Sequence, residues 1–152
     1  MSGETEIYFY HLESRTLEQV LPALLERSLE RGWRAAVQVA SKERVEALNT
    51  MLWTYREDSF LPHGAAGDGA SDVQPIYLTD EEDNPNNAAV RFLVDGATLD
   101  DAAGYARVVH VFDGHDEGAV AQAREAWRAA KEQSFTVSYW QQDGQGRWQP
   151  KA

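Results

Sequence analysis

Four side chains near the end of the chain have the types and the spacing to hold an anionic partner: Arg124, Trp127, Arg128 and Lys131. Intervals of three and four residues bring them to one side of a helix, with an indole among three cations. The remainder of the chain makes this strip conspicuous. Met1 to Ala123 holds nine Lys or Arg against twenty-two Asp or Glu, whereas Arg124 to Ala152 holds five against three. A basic strip with an aromatic at its centre suits a short acidic peptide with an apolar end. On these residues alone, a solvated helix whose Trp packs inward is the commoner arrangement.

Two other groupings invite chemistry and fall short of it. His110, Asp113, His115 and Asp116 lie within seven residues and include metal-ligand and acid–base types. His110 falls inside an apolar run, however, while the others follow it, and no second motif joins them; no metal is assigned. Gly64 to Gly69, GAAGDG, lacks the Gly-Lys-Ser/Thr ending of a phosphate loop, and Asp68 would repel phosphate. A surface loop is expected there. A nucleotide-binding enzyme built on that loop is the competing functional class, and it would need a catalytic constellation that the chain does not supply.

The elements that position these residues follow from periodicity. IYFYH, Ile7 to His11, predicts a buried first strand. Thr16 caps a helix whose apolar stripe is Leu17, Val20, Leu21, Leu24, Leu25 and Leu29, with Gly32 to end it and Pro22 as its blemish. Ala35 to Ala40 predicts a second strand. Ser41 then caps a helix carrying Val45, Leu48, Met51 and Leu52. Further strands are predicted at Val73 to Leu78, Ala89 to Val94 and Arg107 to Phe112, with a solvated acidic loop at Thr79 to Asn87 and a helical turn at Leu99 to Gly104. The strip sits on a last helix from Glu117 to about Gln133, followed by a strand from Phe135 to Gln141. The end, DGQGRWQPKA, either folds back or stays loose. Strand and helix alternating through short connections imply parallel strands with helical crossovers, an α/β class.

At 152 residues a single domain, 1–152, is expected, with 142–152 as its possible tail. There is no Cys, so neither disulfides nor thiolate chemistry enter. No signal-peptide pattern or bilayer-length apolar stretch is present, which predicts a cytoplasmic protein without a membrane partner. A net charge of -11 argues against strong direct binding of nucleic acid over a broad surface.

Several tracts in one order carry a resemblance: IYFYH, LNTMLWTYREDSFLPHGAAGDG from Leu48 to Gly69, RVVHVFDG, and AVAQAREAWRAAK with SYWQQDGQGRW after it. Together they resemble the chi subunits of bacterial DNA polymerase III holoenzyme over nearly the full length. The resemblance implies a non-enzymatic, three-layer α/β/α Rossmann-like single domain with a largely parallel, mixed sheet and no cofactor. It also implies an adaptor that links the clamp loader to single-stranded DNA-binding protein (SSB) by gripping the acidic C-terminal tail of that protein, which ends in Pro-Phe. Its tail-binding positions match Arg124, Trp127 and Arg128, and Lys131 is added by helical spacing; a further family Lys falls here on Val120. Its other partner surface, used by the psi subunit, matches Trp53, Phe60, Leu61, Pro62 and His63. An equivalent of psi or a helicase stays open as the user of that patch, and core packing is its other reading. The proposed grip requires cations beside a hollow that takes an apolar ring.

Overall fold

The computed structural model describes residues 5–54, 64, 65, 74–99, 102 and 104–151. In chain order the elements are β1 (Glu6–Leu12), α1 (Leu17–Glu30), β2 (Ala35–Gln38), α2 (Lys42–Thr54), β3 (Gly64–Ala65) and β4 (Ile76–Thr79). They continue with β5 (Val90–Leu93), β6 (Arg107–Asp113), α3 (Glu117–Glu132), β7 (Thr136–Gln142) and β8 (Trp148–Pro150). The strands form one mixed sheet in the order β3-β4-β2-β5-β6-β1-β7-β8. All neighbours are parallel except β7 and β8, so the C-terminal segment folds back as an antiparallel edge.

Local chemistry explains the helix ends. Thr16 accepts from the Gln19 backbone N–H while the Gln19 side chain accepts from the Thr16 N–H, a reciprocal cap. At the other end Gly32, at φ +80°, lets its N–H reach the Leu29 carbonyl and the Trp33 N–H reach that of Ser28. The helix runs through Pro22, which is buried; its missing N–H leaves the Glu18 carbonyl without an intrahelical donor at the exposed first turn. Ser41 Oγ accepts from the Arg44 N–H to start α2.

Alternation along β1 divides the core between two layers. Leu12, with Tyr8 and Tyr10, faces α1 and α2, whose Leu21, Leu25, Leu48 and Leu52 pack against Val37, Phe92 and Val109. Ile7 and Phe9 face α3, which closes on them through Ala123 and Ala130. These small side chains let the helix lie close to the sheet, and burying a ring such as Phe9 contributes about 1.5–3 kcal/mol. Gly114 is dictated by crowding: a Cβ there would lie 2.1 Å from His11 Nε2 and 2.6 Å from the Leu12 carbonyl. The Gln142 side-chain oxygen accepts from the backbone N–H of Glu13, Ser14 and Arg15, which pins the turn into α1.

Among the described residues, the part of the sheet beyond α3 is covered by loops instead of a helix. Arg91, fully buried on β5, donates from Nε to Gln38 Oε1 at 2.8 Å and from Nη1 to the Asp83 carbonyl at 2.7 Å. It also donates to the Glu81 carbonyl and to the Tyr105 hydroxyl. The acidic loop expected only to be solvated is therefore wound around a buried guanidinium, with Asn86 fully buried within it. Asp83 accepts from Thr79 and Tyr77, and the Tyr77 hydroxyl is pushed up to about 12 by burial first and then by that hydrogen bond.

Two further expectations change. Gly64 and Ala65 do not belong to a surface loop; they pair with Tyr77 and Leu78 as a short edge strand, with Ala65 buried. Residues 66–69 lie outside the described residues. In the segment expected as a helical turn, described residues 99, 102 and 104 carry no helix. There the chain is tied down instead by Thr5 Oγ1 donating to the Tyr105 carbonyl at 2.8 Å and by the burial of Tyr105 beside Arg91.

Candidate functional site

Helix α3 is built to hold its side chains steady. Asp116 caps it, its carboxylate accepting from the Gly118 and Ala119 N–H groups. At its far end Ser134, at φ 63°, sends its N–H to the Lys131 carbonyl while the Phe135 N–H reaches that of Ala130. Ala123 and Ala130 fix the inward face. At 100° per residue, Trp127 then falls beside that face, Lys131 and Arg124 come next, and Arg128 lies furthest out.

All four residues named from sequence lie on this helix. Trp127 is half-buried and packs against the cluster that contains Ile7, Phe9 and Ala123, alongside Phe135, Val137 and Tyr139. Its indole N–H is buried and has no hydrogen-bond partner among the described residues. The Lys131 ammonium lies 4.7 Å from the centroid of the Trp127 ring, a cation–π contact. Arg124 is exposed, and its charge opposes the burial that raises the Tyr139 hydroxyl above its ordinary range. That hydroxyl is 2.8 Å from His11 Nδ1, which adds a ring on β7 to the neighbourhood that helical spacing alone did not reveal. Arg128 is not free: its Nη1 is 2.7 Å from Glu125 Oε1, with both side chains exposed.

The hollow beside α3 lies on the helix's other flank. It encloses about 430 Å3, with Ala119, Ala123, Ala126 and Ala129 on the helix side and Leu93, His110 and Phe112 on the sheet side. None of Arg124, Trp127, Arg128 or Lys131 lines it. The expected hollow beside the cations is therefore not found among the described residues: the apolar cavity lies across the helix, with Glu125 among its lining residues, and the half-buried Trp127 ring is the apolar surface next to Lys131.

The His and Asp cluster is dispersed into separate structural tasks. The His110 imidazole stacks on Phe9 at 4.6 Å and 7°, and burial lowers its pKa from 6.5 to about 4. Asp113 accepts from the His115 N–H, Asp116 caps α3, and His115 Nε2 lies 2.7 Å from the Glu13 carbonyl. That contact and the Glu13 carboxylate raise the His115 pKa. Among the described residues no three His, Asp or Glu side chains gather as metal ligands. Trp53 lies on the last turn of α2, while its side chain and all of Phe60, Leu61, Pro62 and His63 fall outside the described residues. No described helix is long and apolar enough to cross a membrane.

Comparison with known proteins agrees with the tracts quoted above. The family model described as "DNA polymerase III chi subunit, HolC" matches residues 5–138. A relative from Rickettsia prowazekii (strain Madrid E), described as "Probable DNA polymerase III subunit chi", is 34% identical over 85 residues, which is 56% of this chain. The match spans about half the length of that relative, 52%.

Proposed function

The chain belongs to the DNA polymerase III chi-subunit family, non-catalytic accessory subunits of the replicase, and on that premise we propose that it links the clamp loader to SSB by holding the acidic C-terminal tail of SSB on α3. The observation that carries the reading is the Lys131 ammonium over the half-buried Trp127 ring, with Arg124 exposed on the same helix and Arg128 further round it, on a chain of net charge -11. A peptide terminus brings a carboxylate, acidic side chains and an apolar ring. Guanidinium forks take the carboxylates, and the flank of Trp127 takes the ring. The excess of acids over the rest of the chain, twenty-two against nine cations before Arg124, disfavours docking of the same tail elsewhere.

The second half of the proposal is a docking patch for psi, an equivalent of it, or a helicase at Trp53, Phe60, Leu61, Pro62 and His63. It is supported by the family relationship and the apolar character of those residues.

Titration of a labelled peptide ending in Asp-Asp-Ile-Pro-Phe tests the first half. The wild type is expected to bind near micromolar, about -8 kcal/mol, and Arg124→Ala to lose about 1.5–3 kcal/mol, the range for hydrogen bonds to charged groups. Equal binding by the two proteins removes Arg124 from the site. Ala126→Leu partly fills the 430 Å3 hollow; unchanged affinity keeps the peptide ring on Trp127, and loss moves it across the helix.

A further inference from the structure

On the opposite face of the sheet, under the C-terminal half of α1, a second hollow encloses about 370 Å3. Its floor is apolar, with Leu24, Val90, Phe92 and Val109. Its walls are not: Arg27, Arg31 and Arg107 all line it, together with Tyr10 and Trp33. Nine cations serve the 123 residues before α3 reaches Arg124, against twenty-two acids, yet three of those nine meet here. Among the described residues, Glu30 is the one carboxylate on the same walls.

The groups are arranged in two parts. The first is a donor cluster. Tyr10 is largely buried; burial raises its hydroxyl pKa, and Arg107 and Arg27 are both near enough to pull it the other way. Arg107 donates from both Nε and Nη2 to Glu6 Oε1, at 3.1 and 2.8 Å, which among the described residues leaves Nη1 for a ligand, and its guanidinium carbon lies 4.0 Å from the Tyr8 ring centroid. Arg27, exposed in the last turn of α1, has no such carboxylate among the described residues. The second part is a flat wall. The Arg31 guanidinium carbon lies 4.1 Å from the Trp33 ring centroid, and that of Arg107 5.2 Å from it.

Placing cations near the end of α1 also complements the helix dipole, which accounts for Arg27 and Arg31 one by one. It does not account for Arg107, which comes from β6, or for the hollow that the three share with a phenolic hydroxyl. Donor-bearing side chains lining one apolar-floored hollow suit a compact anion, and a guanidinium stacked on an indole offers a plane to a second ring. The volume is at the small end of small-molecule sites, about 300–1,000 Å3, and too short for an extended peptide.

We propose that this hollow binds a free nucleoside 5′-monophosphate, its phosphate taken by Arg27, Arg107 and the Tyr10 hydroxyl and its base laid against Arg31 and Trp33. An extended nucleic-acid strand is disfavoured because the chain as a whole, at a net charge of -11, repels further phosphates.

The test uses the full chain, isotope-labelled, with the Trp33 indole and Tyr10 ring followed by NMR during titration with thymidine 5′-monophosphate, inorganic phosphate or thymidine. The nucleotide is expected to shift both rings saturably, phosphate to act at the same resonances more weakly, and thymidine to leave them in place at equal concentration. Arg27→Glu, at an exposed position, is expected to weaken the nucleotide about tenfold or more, the scale of one lost charge-assisted hydrogen bond. Tyr10→Phe is expected to weaken it without changing the fold. Arg124→Ala should leave nucleotide binding as it was, so this site stands or falls apart from the tail-binding strip. No saturable shift at millimolar nucleotide, equal binding by Arg27→Glu, or equal affinity for phosphate and nucleotide overturns the proposal. Tighter binding of a 5′-phosphorylated oligonucleotide than of the mononucleotide overturns the assignment to a free nucleotide.

Discussion

Arg91 Nε donates to Gln38 Oε1 at 2.8 Å inside the sheet, and the same guanidinium collects the Asp83 and Glu81 carbonyls from the loop above. Among the described residues, one fully buried cation thus ties the loop down over β2 and β5. Arg91→Ala removes the donor, opens a cavity and orphans two carbonyls. A loss of about 3–5 kcal/mol is expected from those contributions together. Urea unfolding measures it, and a loss below about 1 kcal/mol, the worth of one ordinary hydrogen bond, would mean that the loop holds without Arg91.

Ser134 occupies φ 63°, the left-handed region, at the position after the α3 cap where glycine is usual. Its N–H bond to Lys131 is needed whatever residue stands there. Ser134→Gly relieves the backbone strain but raises the entropy of the unfolded chain, and the first effect is larger. A gain of about 0.5–1 kcal/mol in thermal or urea unfolding is expected.

How much was legible follows from where each signal resides. The ends of α1 were readable at Thr16 and Gly32 because caps are local, whereas the cap of α3, Asp116, was grouped with metal-ligand types although the helix was placed from Glu117. The aromatic and β-branched runs IYFYH and RVVHVF likewise showed buried strands. The loop from Thr79 to Asn87 was misread because its contribution is made by backbone carbonyls, which no residue type advertises, to an arginine hidden in an apolar strand. The basic strip was readable from spacing. The pairing of Arg128 with Glu125 was equally available at an interval of three, whereas the hollow on the far flank of α3 depends on how the segment from Gly96 to Leu99 returns over the sheet.

That exposed pair leads to a prediction about affinity. Arg128 and Glu125 are 65% and 73% exposed, so their contact is worth about 0–1 kcal/mol to the fold. For an acidic tail, Glu125 both occupies Arg128 and adds a like charge. Glu125→Gln is expected to leave thermal stability nearly unchanged and to raise peptide affinity about three- to tenfold at low salt, an advantage that shrinks as salt screens it. Weaker binding by this variant would place Glu125 among the tail's hydrogen-bond acceptors instead of its competitors.

Trp127 carries a buried N–H without a partner among the described residues, and Phe keeps one flat ring without that donor. Removing an unsatisfied donor while keeping most of the packing is close to neutral. Trp127→Phe is therefore expected to change unfolding free energy by less than about 1 kcal/mol, yet to weaken the peptide through the smaller ring face. Calorimetry of folding and of peptide binding on the same sample separates the two. A large stability loss would show that the indole's second ring is a core element.

His110 links stability to pH. Its imidazole is stacked on Phe9, and burial holds its pKa near 4 against an ordinary 6.5. The folded state therefore keeps it neutral where the unfolded chain would protonate it. Between about pH 6.5 and 4 the unfolded state binds more protons, so stability falls as pH falls through this window and changes no further below it. At 1.36 kcal/mol per unit the loss from this one group is at most about 3 kcal/mol. His110→Phe keeps a ring against Phe9 and removes the titration. Urea midpoints at pH 7.5 and pH 5 should therefore differ less in the variant than in the wild type, any remaining difference belonging to carboxylates common to both. Identical pH slopes would mean that the imidazole is protonated in place, with the adjoining hollow admitting enough water to solvate it.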